Sequence, residues 1–224
     1  MDIEILSVTN SIVEYLRGKI IVGELPGGQR LNENQLAPKL GISRPPMREA
    51  FRILEHEHVI VSTPRKGVYV KELTINDCQE VYQMREMLEC YAVDLLKSKN
   101  ILSLPKVSSA LESASGLSIP PEDDQEQRLK YLKIFADFHI KLVEASGNNR
   151  LDYFYRSIQS TLYRYQFLYL SLPGAGPHSI EDHHQILNLV EAGAYDEANK
   201  CLKAHIDSMF ELLVGKMKED KIKD

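Results

Sequence analysis

The chain has 224 residues, 43% of them hydrophobic, and a net charge of −5, which suits one large or two ordinary globular domains. No apolar run approaches membrane-spanning length, and Met1-Asp2-Ile3-Glu4 opens without the basic and apolar regions of a secretory signal. Cys78, Cys90 and Cys201 are odd in number and never paired as C-x-x-C, which points to a reducing, cytoplasmic setting and away from disulfides or a thiolate zinc site.

In chain order, Val8, Ile12, Leu16 and Ile20 mark the apolar stripe of a helix over about 8–22, ended by Gly23 and Pro26-Gly27-Gly28. A second, short helix is expected from Asn32, with Gln35 as capping-box partner and Pro38 removing one backbone bond inside it. Gly41-Ile42 makes a turn, and Ser43 is placed to cap a third helix running to about His56. Pro45 and Pro46 fit its first turn, where amides have no intrahelical acceptor to lose. At about 100° per residue, Arg44, Arg48 and Arg52 form one ridge, while Met47, Ala50, Phe51 and Leu54 form the opposite apolar face. Such a helix, packed by one face, can offer guanidinium groups to guanine edges or phosphates in a duplex major groove. A plain solvated basic face is the alternative for this segment taken alone.

Two helices joined by a tight glycine turn form a helix-turn-helix whose second member reads DNA. Val59–Thr63 and Val68–Lys71 then read as strands joined by Pro64-Arg65-Lys66-Gly67, a hairpin with a basic tip. Placed directly after the helix-turn-helix, this hairpin is a wing whose Arg65 and Lys66 reach phosphate or minor groove. The charge distribution agrees. Residues 1–73 carry 10 Lys+Arg against 9 Asp+Glu, while the remainder carries 17 against 23. A basic reader on an acidic body is compatible with DNA, because steering follows the local field.

The segments Gly-Gln-Arg-Leu-Asn-Glu-Asn-Gln-Leu-Ala (28–37), Gly-Ile-Ser-Arg-Pro-Pro-Met-Arg-Glu-Ala (41–50) and Arg-Lys-Gly-Val-Tyr-Val (65–70) resemble the winged-helix domain of GntR-family transcription regulators. The resemblance covers about residues 8–71. It implies DNA contact at Ser43, Arg44, Pro45, Pro46, Arg48 and the wing around Lys66-Gly67. His58 stands where that family usually has glycine, and Pro38 replaces a helix former.

From Thr74 the chain reads as helix almost throughout. Thr74 caps a helix to about Lys99 with Val81, Met84, Leu88, Ala92 and Leu95 on one stripe. Arg85 borders that stripe one turn before Glu89, so it is either an intrahelical ion pair or an anion-binding arginine. A Ser-, Gly- and Pro-rich loop at about 113–121 precedes a helix over about 123–146. Gly147-Asn148-Asn149 breaks before another helix, to about Leu172, and Pro173–Pro177 is a loop. Further helices open near Ser179–Asp182 and Asp196, and a charged tail, Lys216–Asp224, is expected to fray.

Three of these helices each carry a histidine on the apolar face. His139 aligns with Leu132, Phe135, Leu142 and Ala145; His183 with Ile186, Leu187 and Val190; His205 with Ala198, Leu202, Met209 and Leu212. One inward histidine is ordinarily a satisfied core residue, but three need three sets of partners, and a divalent metal satisfies three acceptor nitrogens together.

The second half also resembles the FCD effector domain of the FadR-like GntR branch, through Asp137-Phe138-His139 to Ala145-Ser146-Gly147-Asn148, His183-His184-Gln185-Ile186, and Ala198 to His205. In metal-binding members an aspartate one turn before the first histidine completes the ligand set; here that position is Phe135. Either His139, His183 and His205 alone hold a divalent transition metal such as zinc or nickel, or the pocket binds without one.

The expected protein is mostly α. It has a winged helix-turn-helix DNA-binding domain with a small β-hairpin wing over 1–73, and an all-α antiparallel helical bundle for effector binding and dimerisation over 74–224. Its expected role is that of a repressor binding an inverted-repeat operator as a homodimer, with a small carboxylate effector that engages Arg85 and, where present, the metal. A metal sensor is the alternative. A three-histidine metalloenzyme is disfavoured, since no H-E-x-x-H occurs and no acid lies within one turn of His139 on its inner face.

Overall fold

A computed structural model of the chain describes residues 3–172 and 177–220. It contains α1 (Ile3–Ile21), β1 (Arg30–Leu31), α2 (Glu33–Lys39), α3 (Arg44–His56), β2 (Ile60–Thr63), β3 (Gly67–Val70) and α4 (Ile75–Ser98). There follow α5 (Pro105–Ala114), α6 (Gln125–Ala145), α7 (Asn149–Tyr169), α8 (Pro177–Glu191) and α9 (Tyr195–Glu219). The chain divides into two compact units: residues up to Leu73 with Gln159–Arg164 of α7, and Thr74–Ile158 with the chain from Tyr165 onward.

In the first unit, one apolar cluster joins Ile12, Leu16 and Ile20 of α1, Ala37 of α2, Met47, Ala50, Phe51 and Leu54 of α3, and Val59, Ile60 and Val70 of the hairpin. The α3 stripe is therefore buried as its spacing requires, which leaves its arginine ridge outside. Val8 is the exception on α1; it is 39% exposed, because the packed face begins one turn later. The sheet has three strands in the order β1-β3-β2, both pairs antiparallel. The two-residue β1 has no signal in the sequence. Arg30-Leu31 is too short to show an alternation, and only pairing with Val68 and Tyr69 makes it a strand.

Helix termini follow the expected punctuation with two differences. Asn32 caps α2 by accepting from the Asn34 amide at 3.0 Å, without help from Gln35, and Thr74 caps α4 by accepting from the Asp77 amide at 3.1 Å. Ser43 does sit at the N-cap of α3 with extended backbone, but its hydroxyl makes no capping bond. Proline at the helix start already fixes the backbone there. Pro38 is carried inside the seven-residue α2, which ends one residue later.

His58 has φ +58°, a left-handed conformation that costs a residue with a Cβ roughly 1–2 kcal/mol. The side chain is exposed. His58→Gly is expected to stabilise the first unit by about 1 kcal/mol, read as a rise of a few degrees in Tm. An unchanged or lower Tm would show that the imidazole makes a compensating contact.

The second unit is helical throughout the described residues. α4 packs along α9 and α6, α5 along α6 and α8, and α8 along α9. Cys78, Val81, Leu88, Ala92, Val93 and Leu96 of α4 are buried, together with Arg85 and Glu89. Met84 lies outside this face at 38% exposure, and so does Leu212 of α9 at 49%, with Leu213 buried in its place. Of the expected stripes, Val81, Leu88 and Ala92 on α4 and Ala198, Leu202, His205 and Met209 on α9 are buried, so these two positions are single misses on helices that turn their inner faces toward more than one neighbour. Helix α5 escapes a reading by periodicity, because its buried residues Val107, Ala110, Leu111 and Ala114 span little more than two turns. Of the expected loop Pro173–Pro177, residues 173–176 lie outside the described residues and Pro177 opens α8; the end of the tail at 221–224 also lies outside them, and α9 remains helical to Glu219. No helix among the described residues is long and apolar enough to cross a membrane.

Candidate functional site

On α3, Met47, Ala50 and Leu54 are fully buried, and Arg44, Arg48 and Arg52 are exposed on the other side. Arg48 is held through Nε by both carboxylate oxygens of Glu33, at 3.1 and 3.0 Å. That pairing raises its pKa above the ordinary value and orients the guanidinium while leaving its two terminal amino groups to a ligand. Arg52 Nη1 reaches Glu49 at 3.2 Å, a contact in high dielectric that readily yields to a phosphate. Ser43 and Pro45 are exposed beside them, and Pro46 is half-buried.

At the wing, Lys66 donates its amide to Thr63 in a tight turn, with Arg65 at φ +63° and Gly67 at φ +119°. Arg65 and Lys66 are both exposed. Gly67 is required by its backbone conformation, one that side chains rarely adopt; the exposed Arg30 guanidinium lies 3.0 Å from where a Cβ would stand. Arg30 thus lies against the wing, a cation at this surface that the strand-poor sequence around it did not announce.

In the helical unit, His139, His183 and His205 come together, with one ring nitrogen from each within 4.8 Å of the others, and all three are buried. Three amphipathic helices (α6, α8, α9) deliver them, each from its inner face. His183 stacks on Phe138 at 4.2 Å between ring centroids and stands edge-on to His139 at 4.6 Å. Phe135 lies 5.4 Å from the His183 ring, so an apolar ring occupies the position where an additional carboxylate would have to come from α6.

The hydrogen bonds around the cluster fix its chemistry. Glu89 is wholly buried; its Oε1 accepts from Arg85 Nε at 2.8 Å and from the Tyr155 hydroxyl at 2.7 Å. Its Oε2 lies 2.8 Å from His139 Nδ1. Arg85 Nη2 lies 2.8 Å from His139 Nε2. A guanidinium can only donate, so His139 Nε2 must accept, and Nδ1 carries the proton given to Glu89. His205 Nδ1 lies 3.0 Å from Asp182 Oδ2 and is likewise the donor, which turns its Nε2 toward His183 Nε2 at 3.4 Å. His183 Nδ1 is buried with no partner.

Burial pushes all three imidazoles toward the neutral form. His139 falls to about 4, because desolvation outweighs the Glu89 carboxylate and Arg85 adds to the drop. His183 is held well below its ordinary value by desolvation and its two imidazole neighbours, and desolvation lowers His205 despite Asp182. Desolvation would raise Glu89, but Arg85 and His139 outweigh it and hold the carboxyl below its ordinary range.

A folded pKa below the unfolded 6.5 means that only the unfolded chain takes up these protons as pH falls from 6.5 toward 4. Stability is therefore full above pH 6.5 and declines below it. In EDTA, the urea midpoint should hold from pH 7.5 to about 6.5 and then drop steadily toward pH 5.0; a flat profile would mean that these imidazoles take up protons in the fold as readily as in the unfolded chain.

As a donor set the cluster fits a divalent transition metal. It supplies three neutral imidazoles, two of which have Nδ1–H fixed by a carboxylate, the orientation that leaves Nε2 for a metal. The partnerless His183 Nδ1 is the nitrogen left over when its Nε2 serves as ligand. Two features oppose loading as the residues stand: Arg85 already uses the lone pair of His139, and the contact of His183 Nε2 with the accepting His205 Nε2 puts a proton on His183 Nε2, which would have to move to Nδ1. Periodicity locates the histidines and the Arg85–Glu89 pair. It misses the link from Glu89 to His139 and the role of Asp182, since both bonds run between helices. The only sequence signals are the turn spacing of Arg85 and Glu89 and the adjacency of Asp182 to His183.

Comparison with known proteins agrees with both halves. Residues 80–208 match the family model described as FCD domain, and residues 8–70 match the one described as bacterial regulatory proteins, gntR family. The uncharacterized HTH-type transcriptional regulator YdhC of Bacillus subtilis (strain 168) is 27% identical over 207 residues, 92% of this chain and 91% of its own. The gluconate operon transcriptional repressor of the same strain is 28% identical over 173 residues, 77% of this chain and 68% of its own. A solved transcriptional regulator GntR from Rhodococcus sp. RHA1 is similar with a TM-score of 0.71 at 26% identity, over 93% of this chain and 98% of that one.

Proposed function

This chain belongs to the GntR family of bacterial transcription regulators that carry an FCD domain, and on that premise we propose a ligand-released repressor that binds an inverted-repeat operator as a homodimer. Its family is one of regulators rather than enzymes. The observation that carries the DNA half is α3, whose exposed Arg44, Arg48 and Arg52 stand opposite a fully buried apolar stripe. A twofold dimer presents two such helices to successive major grooves, so the operator is a short palindrome, with Arg65 and Lys66 on the flanking backbone. Self-association would cover the exposed apolar stripe Met84, Met87 and Tyr91 on α4. The cytoplasm is the compartment of such a protein, and the three free cysteines accord with it.

The effector is a small organic acid recognised at the His139–His183–His205 cluster with Arg85. Zinc or nickel would be held there by the three histidines and would supply a Lewis-acidic centre for the carboxylate. An effector acts only through different affinity for the DNA-competent and DNA-incompetent states, and a buried polar cluster shared by α4, α6, α8 and α9 is sensitive to occupancy in that way. A metal-sensing regulator is the second reading, favoured by the carboxylates that fix two of the imidazoles.

One experiment separates the two. Fluorescence anisotropy follows the protein on DNA selected from a random pool, after EDTA treatment, with zinc or nickel added, and with a panel of small carboxylates. Release by a carboxylate at constant metal supports the first reading, and release or binding governed by metal alone supports the second. Sequence-independent DNA binding under all conditions would sink both.

A further inference from the structure

Among the described residues, Arg85 heads the fully buried side chains by volume. Each of its three nitrogens meets a protein group: Nε meets Glu89 at 2.8 Å, Nη1 meets Met209 Sδ at 3.5 Å, and Nη2 meets His139 Nε2 at 2.8 Å. The last of these contacts is the informative one. An imidazole has one lone pair when neutral, and that of His139 is on Nε2 because Nδ1–H is committed to Glu89. A guanidinium has no lone pair and stays charged, so it cannot share this bond with a second electron-pair acceptor.

We propose that Arg85 and a divalent metal are alternative occupants of His139 Nε2, so that loading the three-histidine site expels the guanidinium and leaves its Nη2 donors free for an anion. The inference rests on the metal reading above and names the residue that sets the affinity. Two physical reasons support it. One lone pair serves one cation, and two cations in a dry site repel far more strongly than in water. The site has an approach from solvent: a groove of ≈ 700 Å³ lined by Asp182, Leu189, Cys201 and His205 among others, where Asp182 is 42% exposed and His205 1%. Metal and carboxylate binding are thereby coupled. Metal makes Arg85 available, and an anion that pairs with the released guanidinium holds it away from His139, which favours the metal in return.

The test compares two full-length variants that differ only at residue 85: Glu89→Gln and the double variant Arg85→Met/Glu89→Gln. Both lack the carboxylate, so no new ligand is created, and the side-chain amide that replaces it can still accept from His139 Nδ1. Zinc affinity is measured by competition with a chromophoric chelator. The double variant is expected to bind at least 10-fold tighter than Glu89→Gln; equal or weaker binding overturns the proposal. A second measurement uses the unaltered protein with ¹⁵N-labelled arginine. The slowly exchanging guanidinium signal of Arg85 seen in EDTA should disappear at one equivalent of zinc, and its persistence through saturation also overturns the proposal. If the unaltered chain and the double variant both fail to bind zinc in the competition assay, the metal reading itself falls, an outcome distinct from equal binding by both.

Discussion

Arg48→Ala should weaken binding to the selected operator by about 100-fold or more, while the far-UV spectrum and the mass of the assembly stay unchanged. A bidentate arginine–guanine contact discriminates by about 1–3 kcal/mol, and the proposed twofold dimer would lose it twice. Arg48 is better prepared for that role than Arg44 or Arg52, because Glu33 holds its Nε at 3.0–3.1 Å and so limits the freedom lost on binding. Its side chain is 59% exposed, and its neighbour Met47 is wholly buried, so truncation removes a surface group without touching the core. Anisotropy with operator and with scrambled DNA, at two salt concentrations, checks this. Loss confined to the operator identifies a base contact. An equal loss on both DNAs with a shallower salt dependence identifies a phosphate contact. Undiminished operator binding refutes α3 as the reading helix.

Arg85→Ala is the second large effect, and it acts on stability. Removing the guanidinium leaves Glu89 at 0% exposure with a carboxylate that only Tyr155 and His139 can satisfy. Breaking one side of a buried ion pair costs about 3–5 kcal/mol, and the Tm of a domain this size should fall by about 10 °C. Part of that cost is avoided if Glu89 takes up a proton, so its folded pKa should rise in the variant. A raised carboxyl pKa is harmless at low pH and increasingly unfavourable above the ordinary value of 4.5, so the deficit should widen from pH 5 to pH 8. The neutral pair Arg85→Met/Glu89→Gln should recover more than half of the loss, because neither buried charge is then left alone. Thermal denaturation of the variants across that pH range decides the matter. A deficit under 2 °C for Arg85→Ala would mean that the pair contributes nothing to the fold.

Much of the molecule is legible in one dimension because its periodic signals are strong. The stripe Met47, Ala50, Phe51 and Leu54 predicts both the packing of α3 and the side on which its arginines emerge. The same logic places His139, His183 and His205 on inner faces. Short elements fare worse: β1 exists only through pairing with β3, and α5 is buried over little more than two turns. Single positions miss on α4 and α9, where Met84 and Leu212 turn outward from stripes that are otherwise largely buried, because a helix with several neighbours has no single inner line.

Local sequence, then, determined the long helices, the caps at Asn32 and Thr74 and the family pattern of the amino-terminal reader, since these depend on interactions within a few residues. Only the tertiary structure decided the state of the histidine cluster. His139 stands 50 positions from Glu89 and 54 from Arg85, across two helices, and Asp182 meets His205 from another. Hydrogen-bond direction, tautomer and competition for one lone pair are properties of groups brought within hydrogen-bonding reach, and no spacing along a chain encodes them.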